Sequence, residues 1–148
     1  MNPAFAERML ARAEANRART STLPGLDLRD VEWSPIEHYG YPHSQEVSML
    51  AHYVGEFLGL PKNVLERVKL AGLLHDLGRQ TPWQTPDPNH NQRSAELAVR
   101  FLRSQSEVWH QQDMIDEVAW LIANHDLSAT VLPVDHRLQA LWDADSYD

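Results

Sequence analysis

The sequence predicts an all-α protein, a single compact bundle of about six or seven helices, from the period at which its apolar residues recur. Three observations carry that prediction. In Lys69 to Arg79, KLAGLLHDLGR, residues Leu70, Leu73, Leu74 and Leu77 share one helical face while Ala71 and Gly72 keep the other side small, so little of this helix can face water. The same spacing returns in successive stretches along the rest of the chain. A length of 148 residues suffices for one buried core and is short for two ordinary domains.

Residues 3–19 are rich in Ala and Arg, and Phe5, Met9 and Ala13 form one thin stripe, which predicts a surface helix packed on the body. A dimer contact is the lesser use of that stripe and leaves a homo-oligomer open. Thr20 to Tyr41, with Pro24, Gly25, Pro35 and Gly40, reads as an irregular connection. Residues 1–41 are thus a helix and connection packed on the body, and 42–148 are the body itself. From Pro42 to Gly59 the stripe is Val47, Leu50, Val54 and Phe57 or Leu58, with proline acceptable in the first turn. Pro61 opens the next helix, which runs through Val64 and Val68 to about Leu77, where Gly78 is placed for the left-handed conformation that ends a helix. A polar, proline-rich loop, Gln80 to Asn91, follows, of a length that more often carries function than not. Ser94 to Ser104 resumes helix with Ala95, Ala98, Phe101 and Leu102 inward. Met114 to Asn124 does the same through Ile115, Val118, Leu121 and Ile122, and a last helix from about Asp135 shows Leu138, Leu141 and Trp142.

Several polar residues interrupt these apolar faces. His43 lies four residues before Val47 on its stripe, whereas His52, nine residues on and rotated by about 900°, falls on the polar face. His125 extends the face of Leu121 and Ile122 if that helix persists one residue more, and Asp145 occupies the next position after Leu138 and Leu141. His75 and Asp76 sit at the core edge, and His90 stands in the loop just ahead of a helix. One histidine on an apolar face is ordinarily a satisfied core residue. Scattered singly, each unpaired buried group would cost on the order of 1–3 kcal/mol, against a domain stability of about 5–15 kcal/mol. Convergence on a cation removes that cost. The chain has no cysteine, so any such cation is held by nitrogen and oxygen.

A formal net charge of −8 and the absence of a Lys/Arg cluster argue against a nucleic-acid partner, and no apolar run approaches the roughly 20 residues of a membrane span. With no signal-like segment the protein reads as cytoplasmic. Bound cations would invert the local field enough to admit a small phosphorylated substrate.

The phrases PHSQEVSMLAHYVGEFLGLP, LAGLLHDLGR and LWDADSYD together resemble the HD-domain superfamily of metal-dependent phosphohydrolases, marked by a first His, a His-Asp pair and a distant Asp. The resemblance covers roughly residues 40–148. It implies His43, His75, Asp76 and Asp145 as ligands of a single-metal site. His90, in NHNQRSAELA, and His125, in VAWLIANHDLSA, stand where the dinuclear, six-ligand members place two more, with Asp76 bridging the ions. His52 is the alternative first ligand. A mixed nitrogen and carboxylate set suits two divalent transition ions, Mn or Fe foremost and Co, Ni or Zn also admitted. The implied activity is hydrolysis of a phosphate ester of a nucleotide or other small phosphorylated metabolite by a metal-bound hydroxide. His75 and Asp76 would be its centre, and Arg79 and, with less support, Arg93 its phosphate contacts. Trp83 could stack on a base. Lys69, His38, His52, His110 and His136 read as surface residues, and Trp33, Trp109, Trp120 and Trp142 as packing. The same resemblance leaves two rivals, a di-iron oxygenase acting on an organophosphonate or polyol and a nucleotide-binding regulatory module without turnover.

Overall fold

The computed structural model describes residue 23, residues 25–82, 84–106, 109–125 and 135–147, together with Pro3, Ala4, Glu7, Arg8 and Ala11. Among the described residues there are five α-helices and no strand: α1 (Tyr41–Phe57), α2 (Lys62–Leu74), α3 (His90–Arg103), α4 (Gln112–Asn124) and α5 (His136–Tyr147), preceded by a 3-10 turn at Glu37–Tyr39. The all-α class holds, with a count below the six or seven anticipated. The helix expected over 3–19 is helical and exposed at Pro3, Ala4, Glu7, Arg8 and Ala11. Its stripe of Phe5, Met9 and Ala13 lies outside the described residues, as does Trp83. No described helix is long and apolar enough to cross a membrane.

The chain reverses between α1 and α2 through a glycine-capped end. Gly59, at φ +82°, lets its own N–H reach the Glu56 carbonyl and the Leu60 N–H reach the Gly55 carbonyl, both at 3.0 Å. That pair of bonds satisfies two carbonyls the helix would otherwise leave open. It turns Leu58 onto the core and leaves Phe57 72% exposed, which settles which of the two belongs to the apolar stripe. Pro61 then starts α2 antiparallel to α1, so that Gly55 lies opposite Leu65 and Gly72 opposite Ser48. At Gly72 the two backbones nearly touch: a Cβ there would stand 3.0 Å from the Ser48 Cα. Ser48 closes the crossing by donating its hydroxyl to the Lys69 carbonyl at 2.8 Å. Lys69 is therefore in the middle of α2 and only 7% exposed, not a surface charge at a helix start. Burial pushes its ammonium below the ordinary lysine range, with Glu66 and Glu56 opposing.

α2 is the hub and packs against each of the other four helices. Leu50, Leu70, Leu74, Leu102, Ile115, Leu121, Ile122 and Leu141 are completely or almost completely buried in the core they share. Trp109 is buried and Trp33 leans on the core, but Trp120 is 42% exposed and lies under the Arg137 guanidinium, 5.1 Å from its ring.

Helix α2 ends at Leu74, one turn earlier than its apolar pattern suggests, and His75 to Gly78 form turns. Gly78 is not left-handed, since the described glycines with positive φ are Gly25 and Gly59. It is a glycine because α3 presses on it: a Cβ would lie 2.6 Å from both the Arg93 Cβ and the Ser94 nitrogen. The Gly78 N–H donates to the Ser94 Oγ at 2.8 Å, stapling the turn to α3, which begins at His90 and not at Ser94. Gly72→Ala and Gly78→Ala should each lose about 1–3 kcal/mol by overpacking against backbone. Gly59→Ala, with open space around it, should lose only about 1 kcal/mol through its positive φ. Urea midpoints of the three variants check the order.

Candidate metal centre

The five helices bring six polar groups to the same end of the bundle: His43 from the first turn of α1, His75 and Asp76 just past α2, His90 at the start of α3, His125 just past α4 and Asp145 near the end of α5. His75 and His125 cap their helices with helical backbone angles, so both imidazoles continue the buried face. His75, Asp76 and His125 are at most 3% exposed. The carbonyl ends of α2 and α4 meet here and favour positive charge between them.

Three histidines are oriented by one repeated device. Nδ1 of His75 donates to the Gly72 carbonyl at 2.6 Å, Nδ1 of His125 to the Ile122 carbonyl at 2.7 Å, and Nδ1 of His90 to the Asp87 carbonyl at 2.8 Å, each three residues back. A carbonyl only accepts, so the hydrogen is on Nδ1 and Nε2 is turned toward the shared interior. Such a backbone partner on the far nitrogen fixes ring and tautomer for metal binding.

Around His75 the spacing is tight. Its Nε2 lies 3.0 Å from Asp76 Oδ2 and 3.1 Å from Asp145 Oδ1. His43 Nε2 stands 3.0 Å from the same Asp76 oxygen and 3.5 Å from the same Asp145 oxygen, and His125 Nε2 is 3.7 Å from Asp145 Oδ2. Burial alone would push the His75 imidazole down, but the Asp76 and Asp145 carboxylates outweigh it and hold its pKa up to about 10. Burial likewise opposes ionisation of both carboxyls, yet His75 and His43 hold each of them well below the usual carboxylate range. His125 is pushed down by burial and by the charge of His75. Two carboxylates aimed at one ring nitrogen need a positive charge among them, and a proton or a metal ion can supply it.

The donors divide into His43, His75, Asp76 and Asp145, and Asp76, His90 and His125, two groups that share Asp76 and could each hold a metal ion. Imidazole nitrogen and carboxylate oxygen, buried and pre-oriented, fit divalent transition ions. His52, the alternative to His43, pairs instead with Glu56 at 3.3 Å and joins neither group. His38, His110 and His136 are exposed.

Of the two arginines, Arg79 lies on the site's rim with its Nη1 against the His90 ring, 3.2 Å from Nε2 and 3.4 Å from Nδ1. Arg93 does not reach for a ligand. It grips both carboxylate oxygens of Asp87 and donates Nε to the Gly78 carbonyl at 3.1 Å, so it ties the loop before α3 to the turn after α2. Three residues went unsingled in the sequence: Tyr39, whose ring lies under the Arg79 guanidinium at 4.5 Å and edge-on to His43 at 5.8 Å; Asp87; and Ser34, whose hydroxyl donates to the Arg79 carbonyl at 2.7 Å. All three sit in irregular segments, where no period marks a residue.

With only a proton among these groups, the raised His75 value contributes stability in full below its ordinary 6.5 and loses it as pH climbs toward about 10. The lowered carboxyls lose their contribution as pH falls below their ordinary 3.8. Chelator-stripped protein should therefore melt at falling temperatures from about pH 7 to 10. Loading it with Mn2+ at pH 8 should release about one proton per chain, seen as a buffer-dependent calorimetric heat that His75→Ala loses.

A family model described as HD domain matches residues 40–148. No curated protein and no solved structure matches the chain. The matched span takes in α1 to α5 and every donor of the two groups, and the chain belongs to the HD domain family.

Proposed function

We propose that the protein is a metal-dependent phosphohydrolase acting on a phosphate ester of a nucleotide or another small phosphorylated metabolite. The observation that carries this reading is Asp76, shared by two donor groups, with a guanidinium at the rim of the second. Bound there, divalent ions such as Mn or Fe supply Lewis acidity toward phosphate oxygens and a water acidic enough to attack at neutral pH.

The chain's own residues do the rest. Asp76 and Asp145 place two carboxylates on the first group, whereas the rim by His90 carries the Arg79 guanidinium, which offers an anion a positive charge. Arg79 presents a planar fork that matches two phosphate oxygens. Its backbone is held by Ser34 and its Nε by the Thr81 carbonyl at 3.1 Å, which fixes the guanidinium beside His90 at the rim. The Tyr39 ring beneath keeps the fork level by a cation–π contact worth about 0.5–1 kcal/mol. A chain of net charge −8 repels phosphate elsewhere, which restricts it to small substrates delivered to this one point.

The test is phosphate release from a panel of nucleotides and small phosphate esters by stripped protein reloaded with Mn2+. His75→Ala and Asp76→Ala should lower kcat/KM on the order of 10³-fold, the rate equivalent of several kcal/mol. Tyr39→Leu, which removes the ring under Arg79, should raise KM by about threefold with kcat little changed. Full turnover in either of the first two variants, or oxygen uptake in place of phosphate release, would sink the reading.

A further inference from the structure

Asn91 stands in the first turn of α3, directly after His90. It lies three, four, seven and eleven residues before Ser94, Ala95, Ala98 and Leu102, the buried residues of α3, so it extends their stripe one turn toward the end of the bundle where the donors meet. An amide there interrupts an apolar face as His43, His125 and Asp145 do. Its oxygen is the telling atom: Asn91 Oδ1 is buried and accepts no hydrogen bond. A short polar side chain in a first turn ordinarily bonds nearby backbone, and this oxygen does not. Such an orphan weighs on the folded state, and in a native structure it calls for an ion, a water or a reacting group. Glu117 also has a buried oxygen without a partner, Oε2, but Arg67 and Arg137 hold its Oε1 and answer its charge.

The frame around Asn91 is fixed. Ser94 Oγ accepts the Gly78 N–H at 2.8 Å, Arg93 Nε donates to the Gly78 carbonyl at 3.1 Å, and His90 Nδ1 donates to the Asp87 carbonyl at 2.8 Å. His90 and Asn91 are about 100° apart around the helix and fall on opposite sides of Ser94, His90 on the side of Arg93 and Asn91 on that of Ala95. Ala95 and Val99 share a groove with Ala119, so the side of Asn91 is the one that faces α4. The end of α4 delivers His125, whose ring centre is 6.2 Å from that of His90.

The second donor group has a use for one more oxygen. Asp76, His90 and His125 give it three atoms, and the carboxylate is shared with the first group. A divalent transition ion takes four ligands or more, and a carbonyl oxygen is a good one for Mn. We infer that Asn91 is the fourth protein donor of the second group, its amide oxygen serving the second ion directly or through a water that the ion holds. The inference rests on the two-group reading of the site and adds to it a residue that no His or Asp pattern marks. At Asn91 the chain gives up stability of the fold for a place on the second ion.

The experiment is Mn2+ titration of the stripped full-length protein, with free Mn2+ followed by its paramagnetic resonance signal, beside melting curves of the stripped variants. Asn91→Leu, which restores the apolar stripe, should melt about 3 °C higher than wild type when stripped. It should bind the first equivalent unchanged and the second about tenfold more weakly, the order expected for one lost polar contact to a charge. Asn91→Asp, which keeps an oxygen in place and adds charge, should hold the second equivalent at least as tightly as wild type. A second equivalent unchanged in Asn91→Leu overturns the inference, and so does a wild type that binds only one. Equal weakening of both equivalents, failure of Asn91→Asp to keep the second, or a stripped Asn91→Leu that melts no higher than wild type also overturns it, since the amide would then belong to the packing of the fold. The readout is independent of turnover. Selective loss of the second equivalent without phosphate release from wild type would uphold the donor and fail the hydrolase reading, and phosphate release with an unchanged second equivalent would do the reverse.

Discussion

The Nε2 of His75, caught between an Asp76 oxygen at 3.0 Å and an Asp145 oxygen at 3.1 Å, is the point on which the molecule turns. An ionised carboxylate buried without a partner costs several kcal/mol. Here two are brought to one end of a small bundle, with a ring nitrogen that has already given its other side to Gly72. The arrangement is tolerable only with a positive charge at its centre, and its parts are placed to supply one. Helix carbonyl ends point inward, imidazoles are locked in one tautomer, and the Arg79 guanidinium stands at the edge. The fold is thereby tied to its chemistry. Removing one carboxylate would halve the counter-charge on the imidazoles, while a bound ion stabilises the folded state with the logarithm of its excess over its dissociation constant.

How α1 meets α2 decides whether that point exists. His43 is contributed near the start of α1 and Asp76 just after the end of α2, so the two meet only because the helices are antiparallel and in one register. The register is set by the Gly59 turn at the end far from the site and by the Gly72–Ser48 contact, whose Gly72 also holds His75. On the other side, Gly78 allows α3 to press against the turn that carries Asp76, and Arg93 holds the intervening loop through Asp87. The residues that bring His90 to the cluster are therefore as local as those that bring His43.

Much of this was legible in the sequence because helical period and burial are the same fact seen twice. His43, His125 and Asp145 stand out as polar residues in apolar stripes, and the choice of His43 over His52 follows from a rotation of about 100° per residue. What the period could not reveal is anything set by close approach or by an irregular segment. Gly78 looks like a helix terminator and is in fact a contact point. Lys69 carries the charge of a surface residue, and only the packing of α1 on α2, sealed by the Ser48 hydroxyl, shows that it is buried. Arg93 carries the charge expected of a phosphate contact, but Asp87, which engages it, lies in a loop with no pattern to announce it. Tyr39 is the same kind of case: its ring matters through the guanidinium above it, and that pairing spans forty residues of unrelated pattern.

Asp145 is where stability and occupancy are joined most directly. It lies in the last turns of α5, and its side chain is 31% exposed, the most open of the first group's donors. α5 is held chiefly by α1 and α2, through Leu138, Ala140, Leu141 and Ala144. Asp145, which follows Ala144, makes polar contacts to His75, His43 and His125. A positive charge at the centre thus draws the end of α5 onto the bundle, and the end of α5 in turn closes the first group around the charge. Because the two are one equilibrium, an ion held by the first group would be part of the folded structure. The second group adds nothing comparable to the core: its one carboxylate is already engaged by His75 and His43, and His90 is served by Arg79.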